Sequence, residues 1–427
     1  MKIVLLTPGT GSYHCGVCMR DNALAKELIR MGHRAVMLPM YLPLTLDEDS
    51  ASPQSPIFFG GISTYLREKF PALRIPRWLD RALSQPWLLK MLAGRAAKTG
   101  GPEVAGMTLS MLRGEEGNQA AEIEELIAWL RVAFDGTPPD TIWLSTALQA
   151  GLARRLHAAL GIPILGFLQG EDSFLDGLGT AAPAVWALLS ERMRDATVWV
   201  APSRYFAELM ARRLGWSADD SQLRVIPNGV ASEPHPPSTI PHQPTIGYLA
   251  RFLPAKGLGL LIEAFLLLRQ RMPEVRLRCA GSMTSDDALY VEKLRARLRT
   301  AGAESAVSWQ PNVTREEKAA FLASLTVFSV PALYSEAFGQ YLIEAMAAGV
   351  PVVQPRASAF PEIIEASGGG ILFELGKSDT ERAENLARAL ESLLRDPARA
   401  RTLGENGRAA AHSEYSITRL AERLLRL

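Results

Sequence analysis

Short apolar runs and amphipathic stretches alternate along the 427 residues of this chain. Runs rich in Val, Ile and Leu predict strands at "KIVLLT" (2–7), "AVMLP" (35–39), "TIWLS" (141–145), "PILGFL" (163–168), "TVWVAP" (197–202) and "LRVIP" (223–227). Helical spacing of apolar positions marks "MRDNALAKELIRMG" and "ALQAGLARRLHAALG" between them. The second half repeats the scheme. Strands at "TIGYLA", "VRLRCAG", "AVSWQ", "VFSVPA" and "PVVQP" alternate with helices at "LGLLIEAFLLLRQRM", "ALYVEKLRARLRTAG" and "GQYLIEAMAAG". Such alternation gives βαβ units and parallel sheets, here twice. Between the halves, residues 231–244 hold five prolines in fourteen positions, which excludes a helix or a central strand and predicts a linker. The fold class is therefore α/β: two Rossmann-like doubly wound domains, about 1–235 and 236–410, facing one another across a cleft, with residues 411–427 carrying a last helix. Ligands of such sheets collect at the carboxyl ends of the strands.

Residues 55–130 break the alternation and read as a helical insertion in the N-terminal domain. Within it, residues 66–100 carry eight Lys/Arg against Glu68 and Asp80, with Trp78, Trp87 and "LLKML" interleaved. That composition fits either a membrane-surface element or the solvated face of a packed helical subdomain. The absence of a single amphipathic helix with a clean basic face favours the second.

Bulk composition narrows the classes further. A net charge of +1 gives no field that argues for nucleic acid. The apolar run at the start breaks at Pro8, too soon for a signal peptide, and no run reaches the roughly 20 residues that span a bilayer. Three cysteines make no disulfide framework and point to a reducing compartment. The expectation is a cytoplasmic protein, with peripheral contact at the inner membrane through residues 66–100 as the remaining option.

The stretch most specific for chemistry is "YSEAFGQYLIEAMAAGVPVV", residues 334–353, in which seven residues separate Glu336 from Glu344. A helix is predicted from near Gly339 to Gly349, a glycine stop with Pro351 beyond it. Its N-terminus follows a strand and a short loop, a ready anion site. Glu336 in the loop and Glu344 in the second turn are both placed to accept from ligand hydroxyls. A second stretch, "GYLARFLPAKGLGLLIEAF" (247–265), again runs strand, loop, helix, with Arg251 and Lys256 in the loop. Two cations there suit a diphosphate leaving group.

With these motifs the chain resembles the retaining glycosyltransferases of family 4, which have the GT-B fold. The resemblance also runs through "RVIPNGV", "PEIIEASGGGILFE" and "LIRMGHRAVML", and so covers essentially the whole chain. It implies a nucleotide-diphosphate sugar as co-substrate, bound mainly by the C-terminal domain. Further implications are a hydroxyl acceptor of unknown identity on the N-terminal domain, and hexose transfer with retention of configuration, without a metal or other cofactor. By matching position, Arg251 and Lys256 hold the diphosphate, Glu344 the ribose hydroxyls and Glu336 the transferred sugar. Phe338, Gly339 and Gln340 serve at the helix start, and Gln310, in the segment Trp309–Asn312, flanks the base. The last helix is expected to cross back onto the N-terminal domain. One position departs: Gln169 stands where many members carry a histidine that contacts the sugar, so the sugar preference is open. Glu171 and Asp172 are candidates for acceptor contacts or helix caps, and His14 is a further acceptor-side candidate. Alternative activities are a sucrose- or trehalose-type sugar-phosphate synthase and a catalytically silent nucleotide-binding protein.

The pair Cys15 and Cys18 in "GTGSYHCGVCMRDN" raises two other readings, a thiol–disulfide enzyme and half of a zinc site. Zinc requires two more ligands from one remaining cysteine and scattered histidines, and nothing else supports redox chemistry. Gly16 falls where the family has its glycine pair, so the segment reads as a ligand loop. His14 occupies the third glycine position of G-x-G-x-x-G, which excludes a dinucleotide fingerprint. His33 reads as a turn residue and His157 as a helix-surface residue. Asn228-Gly229 is expected to be a tight turn with positive φ, and the glycines 368–370 a flexible loop.

Overall fold

The computed structural model describes residues 1–9, 16–46, 48–53, 55–58, 101–231 and 243–427. The candidate membrane segment 66–100, most of the proline-rich linker, His14 and Cys15 lie outside the described residues. Contacts divide the chain into two units, Met1–Pro227 with Ala421–Leu427, and Asn228–Leu420.

The first unit is built on a parallel sheet of β1 (Lys2–Thr7), β2 (Arg34–Pro39), β3 (Thr141–Leu144), β4 (Ile164–Phe167), β5 (Val198–Ala201) and β6 (Leu223–Val225), in the order β2-β1-β3-β4-β5-β6. β1 aligns Ile3 with Ala35 on one side and with Thr141 on the other. A strand paired on both edges and covered on both faces needs an unbroken apolar run, and Ile3, Val4, Leu5 and Leu6 are fully buried. Gly166 in β4 admits the Trp199 ring, which a Cβ would meet at 2.1 Å. From the expected insertion, helices Gly101–Arg113 and Ala120–Leu130 are described; the second buries Ile123, Leu126, Ile127 and Leu130 as one stripe.

The second unit repeats the plan with β7 (Thr245–Leu249), β8 (Arg276–Gly281), β9 (Val307–Pro311), β10 (Val327–Phe328), β11 (Val352–Pro355) and β12 (Gly370–Phe373), ordered β12-β11-β10-β7-β8-β9 and parallel throughout. β7, β8 and β9 are laid down in one direction, and the chain then returns to place β10 on the far side of β7. The strand order therefore reverses between β7 and β10, and in the first unit between β1 and β3. At such switch points the loops leaving adjacent strands part, and ligands bind at their carboxyl ends.

Two local expectations are corrected. Gly370 does not lie in a flexible loop but opens β12, where a Cβ would sit 2.2 Å from the Val352 carbonyl oxygen. Only Gly368 (φ 59°) turns the chain, closing helix Phe360–Ser367. Asn228-Gly229 forms no positive-φ turn: neither residue has a left-handed backbone. The glycine is there for approach, because a Cβ would stand 2.7 Å from Ile417 Cα, and Val230 next to it bridges to Ser416.

Candidate functional site

The switch point of the second unit is built by two loops packed backbone to backbone. The loop after β7 carries Arg251 and Lys256 and ends at Gly257 (φ 76°), where a Cβ would stand 1.9 Å from the Pro331 carbonyl oxygen. The loop after β10 donates from Leu333 N to Ala255 O at 2.8 Å. It is held from the other side by Ala359 N to Glu336 O and by Ser358 Oγ to Tyr334 O, both 3.3 Å. Each loop feeds a helix, Leu258–Arg269 and Gln340–Ala347, and each helix opens on a positive-φ glycine, Gly257 and Gly339. Neither helix has a side-chain cap or an acidic residue in its first turn. Other helices of the chain are capped, by Thr314, Ser378 and Ser203 for example. The first N–H groups of a helix have no intrahelical carbonyl, so these two uncapped starts offer donors and a positive dipole end to an anion.

The expected side chains are presented by one edge each. Asp287 binds Arg251 side-on, Oδ2 taking Nε at 3.2 Å and Oδ1 taking Nη2 at 3.3 Å. Among the described residues no group accepts from Nη1. Asp287 is itself locked by Thr284, whose N and Oγ1 donate to Oδ2 at 2.8 and 2.9 Å. Burial works against the charge on Asp287, but the Thr284 N–H, the Arg251 guanidinium and the Thr284 hydroxyl outweigh it and hold the carboxyl below its usual range. Lys256 Nζ donates to Glu336 Oε2 at 2.7 Å and to the Tyr334 hydroxyl. The Tyr334 and Tyr341 hydroxyls both donate to that same Oε2 at 2.8 Å. Glu344 pairs through Oε1 with Lys318 Nζ at 3.2 Å, from helix Arg315–Ala323.

The remaining donor-side candidates are more embedded. Phe338 is buried, its ring 6.2 Å from that of Tyr415, which leaves its backbone for any ligand contact. Gln340 donates from Nε2 to Gly229 O at 3.0 Å, and its Oε1 is buried without a partner. Gln310 lies in β9 and accepts from Arg278 Nη2 at 3.2 Å. Its neighbour Trp309 stacks edge-on against Phe252 and leaves Nε1 buried without a partner.

In the first unit Gly16 opens helix Gly16–Arg30, with open space where a Cβ would be. At the ends of β1 and β3 the described residues include a buried polar cluster. Asp21, fully buried, accepts from Thr7 Oγ1 at 2.9 Å, from Arg20 Nε at 2.9 Å and from Ser145 Oγ. Both carboxylate oxygens of Glu171 are engaged, one by the segment after β3 and one by its own loop. Oε1 accepts from Thr146 Oγ1 and Ala147 N, at 2.7 and 2.9 Å, and Oε2 from Gln169 N and Gly170 N, at 2.7 and 3.1 Å. This carboxylate ties the end of β3 to the end of β4. Gln169 Nε2 and Asp172 Oδ1 are buried without partners among the described residues. Burial pushes the Asp172 carboxyl up, opposed by the Ser173 N–H and assisted by Glu171. His33 Nδ1 accepts from the Met1 ammonium at 3.0 Å just after the turn that follows the first helix, and His157 lies on an exposed helix position, both as expected. Cys18 and Cys279 are buried, the second in β8 with its thiol pushed up by burial. Among the described residues no group of three or more His, Cys, Asp or Glu is placed to hold a metal ion, and no helix is long and apolar enough to cross a membrane.

Sequence reading did not find Tyr334, Tyr341, Asp287, Thr284 or Lys318. Tyr334 and Tyr341 do flank Glu336 within its motif, a signal that was available. Asp287 and Lys318 reach their partners only through the sheet order.

Two family models match this chain. The glycosyl transferase 4-like domain covers residues 20–229, and glycosyl transferases group 1 covers residues 233–410. Alpha-maltose-1-phosphate synthase of Mycolicibacterium smegmatis is 29% identical over 226 residues, 49% of this chain and 57% of that protein. The GDP-mannose-dependent alpha-(1-6)-phosphatidylinositol monomannoside mannosyltransferase of the same organism is 28% identical over 310 residues, 67% of this chain and 76% of its own. The chain thus spans little more than half of the first relative. Among solved structures, Anabaena HepE in complex with UDP-glucose superposes with a TM-score of 0.65 at 18% identity, covering 100% of this chain and 98% of that one, a likeness of fold.

Proposed function

The chain belongs to the family 4-like glycosyltransferases of GT-B fold, and we propose that it moves a hexose from a nucleotide-diphosphate sugar to a hydroxyl acceptor with retention of configuration. The observation that carries this reading is the switch point between β7 and β10. There two helices open uncapped on positive-φ glycines, and the loop between strand and helix holds Arg251 and Lys256. At the matching point of the first unit the described residues Thr7, Arg20, Asp21 and Ser145 bond to one another. The two uncapped helix starts and the two cations support a diphosphate site on the second unit.

In the proposed reaction the diphosphate leaves under Arg251, Lys256 and the two helix starts, which offset the charge developing as the glycosidic bond breaks. Glu336 accepts from hydroxyls of the sugar and Glu344 from those of the ribose. The acceptor attacks on the face the leaving group vacates, and its proton passes to the departing phosphate. No protein base is assigned. Because the oriented N–H donors of Arg251, Lys256 and the two helix starts are read as stabilising the leaving group, turnover is expected to persist in a chelator. The HepE complex with UDP-glucose and the GDP-mannose dependence in the name of the mannosyltransferase support a nucleotide sugar as donor. Titration calorimetry with UDP-, GDP- and ADP-glucose, on the wild type and on Arg251→Ala, tests the reading. Micromolar binding of one of them, lost in the variant, is expected; binding that survives the substitution refutes the assignment of the diphosphate site.

A further inference from the structure

Three donors converge on a single oxygen of Glu336. Lys256 Nζ stands 2.7 Å from Oε2, and the hydroxyls of Tyr334 and Tyr341 each stand 2.8 Å from it. No protein group among the described residues donates to Oε1, and Oε1 is not sealed from solvent. A carboxylate oxygen offers about two lone-pair sites, so Oε2 is saturated and a ligand hydroxyl has only Oε1 to donate to. Resting on the donor reading above, we infer that Tyr341, assisted by Tyr334, is a positioning residue: it turns Glu336 so that Oε1 alone faces the sugar.

Tyr341 is the member suited to fix an orientation. It stands in the first turn of helix Gln340–Ala347, its ring buried and 6.2 Å from that of Phe328. A buried phenol seeks a partner for its O–H, and Glu336 Oε2 is that partner. Burial, reinforced by the Glu336 charge, pushes the phenol well above its ordinary range, which favours the protonated, donating form. Lys256 is a poorer anchor. Its ammonium is a flexible point charge shared between Tyr334 and Glu336, and in the proposed reaction it must also serve the diphosphate. With Lys256 engaged there, the two phenols still hold Oε2. Tyr341 touches no reacting atom and acts through Glu336.

The test compares the nucleoside diphosphate with its sugar conjugate. Calorimetry measures UDP and UDP-glucose, or the GDP or ADP pair if that is the one bound, on wild type, Tyr341→Phe, Tyr334→Phe, Glu336→Gln and the double variant Glu336→Gln/Tyr341→Phe. Removing a donor to a charged acceptor is expected to weaken sugar-nucleotide binding about tenfold. Binding of the sugar-free diphosphate stays within about twofold, and on the Glu336→Gln background Tyr341→Phe adds less than about twofold, because its route of action is gone. A loss shared equally by diphosphate and sugar nucleotide, or a full additive loss in the double variant, overturns the inference and leaves Tyr341 as a packing residue. So does an unchanged Tyr341→Phe in a wild type that binds sugar nucleotide and needs Glu336. Wild type that binds none of the three sugar nucleotides overturns the donor reading itself and the inference with it. If Tyr341→Phe does not fold, the half-exposed Tyr334→Phe carries the same comparison, and equal loss of both ligands there again overturns the clamp.

Discussion

Replacing Asp287 by Asn separates orientation from charge at Arg251. The two contacts, 3.2 and 3.3 Å, are longer than the roughly 2.7–2.9 Å of strong charge-assisted bonds. The Arg251 side chain is 36% exposed against 3% for Asp287, so water takes over part of what the guanidinium loses. The pair therefore lies nearer the ~1 kcal/mol of a surface bridge than the ~3–5 kcal/mol lost on breaking a sealed one. Two effects on diphosphate binding oppose each other. A released arginine regains rotamer freedom of about 2 kcal/mol, which binding must remove again. Deleting the carboxylate also relieves repulsion of the anion, worth about 1 kcal/mol across ~5 Å of water. Orientation wins by about 1 kcal/mol, which is about fivefold in affinity. Calorimetry with the nucleoside diphosphate reads this directly, with Thr284→Ala as the control that weakens the cap yet keeps the ion pair.

Stability follows from the same carboxylate. Its folded pKa is depressed, so its contribution is present above the unfolded value of about 3.9 and is lost as pH falls through the lower folded value. Wild type should lose thermal stability on acidification through that window, and Asp287→Asn should lose less of it. Affinity for diphosphate equal to or above that of wild type would falsify the claim that Asp287 orients Arg251.

Three further outcomes are expected. Gly257→Ala forces a Cβ to within 1.9 Å of the Pro331 oxygen at φ 76°; left-handed backbone and overpacking together cost about 2–4 kcal/mol, so an unchanged melting temperature would refute the close loop packing. Glu171→Gln sets an amide N–H2 against donors that now meet carboxylate oxygens and should destabilise the first unit by about 2–3 kcal/mol; chemical denaturation measures it, and a neutral result sinks the loop-tying role. Cys18→Ser, at a fully buried position, and Cys15→Ser should each leave turnover largely intact, with a stability cost of about 1 kcal/mol for the first; folded variants without activity would restore the thiol reading.

The strands and the helix after Glu336 were legible because their signals are local. Unbroken apolar runs mark strands buried on both faces, and Gly349 (φ 77°) stops the helix where its position in the sequence says it should. β12 was missed because three successive glycines look like a loop. The third is required by the close approach of the Val352 carbonyl, which only strand pairing creates. Asn228-Gly229 failed in the same way: the glycine serves contact with Ser416 and Ile417, not backbone curvature. From the sequence Glu171 reads equally well as a ligand residue or a helix cap, and its role as a loop tie was not foreseen. Its four donors come from two strand ends that the sheet order brings together.

The partners that sequence could not supply share a logic. Arg251 is held through Nε and Nη2 and leaves Nη1; Glu336 is held through Oε2 and leaves Oε1; Glu344 is paired through Oε1. Each charged group spends one edge on an internal partner, so Arg251 with Asp287 and Lys256 with Glu336 sum to no net charge. Attraction at long range is then weak, and recognition rests on the direction of N–H and C–O bonds and on the two uncapped helix starts. Oriented N–H donors act at contact distance, where added salt screens less than it does between separated exposed charges. A site drawing on bare cations would lose affinity steeply with ionic strength, whereas one built from half-committed side chains loses affinity when their partners are removed. The clamp on Glu336 and the tether on Arg251 are therefore where perturbation should separate this site from a simple basic patch, with Tyr341 and Asp287 carrying the effect while touching no ligand themselves.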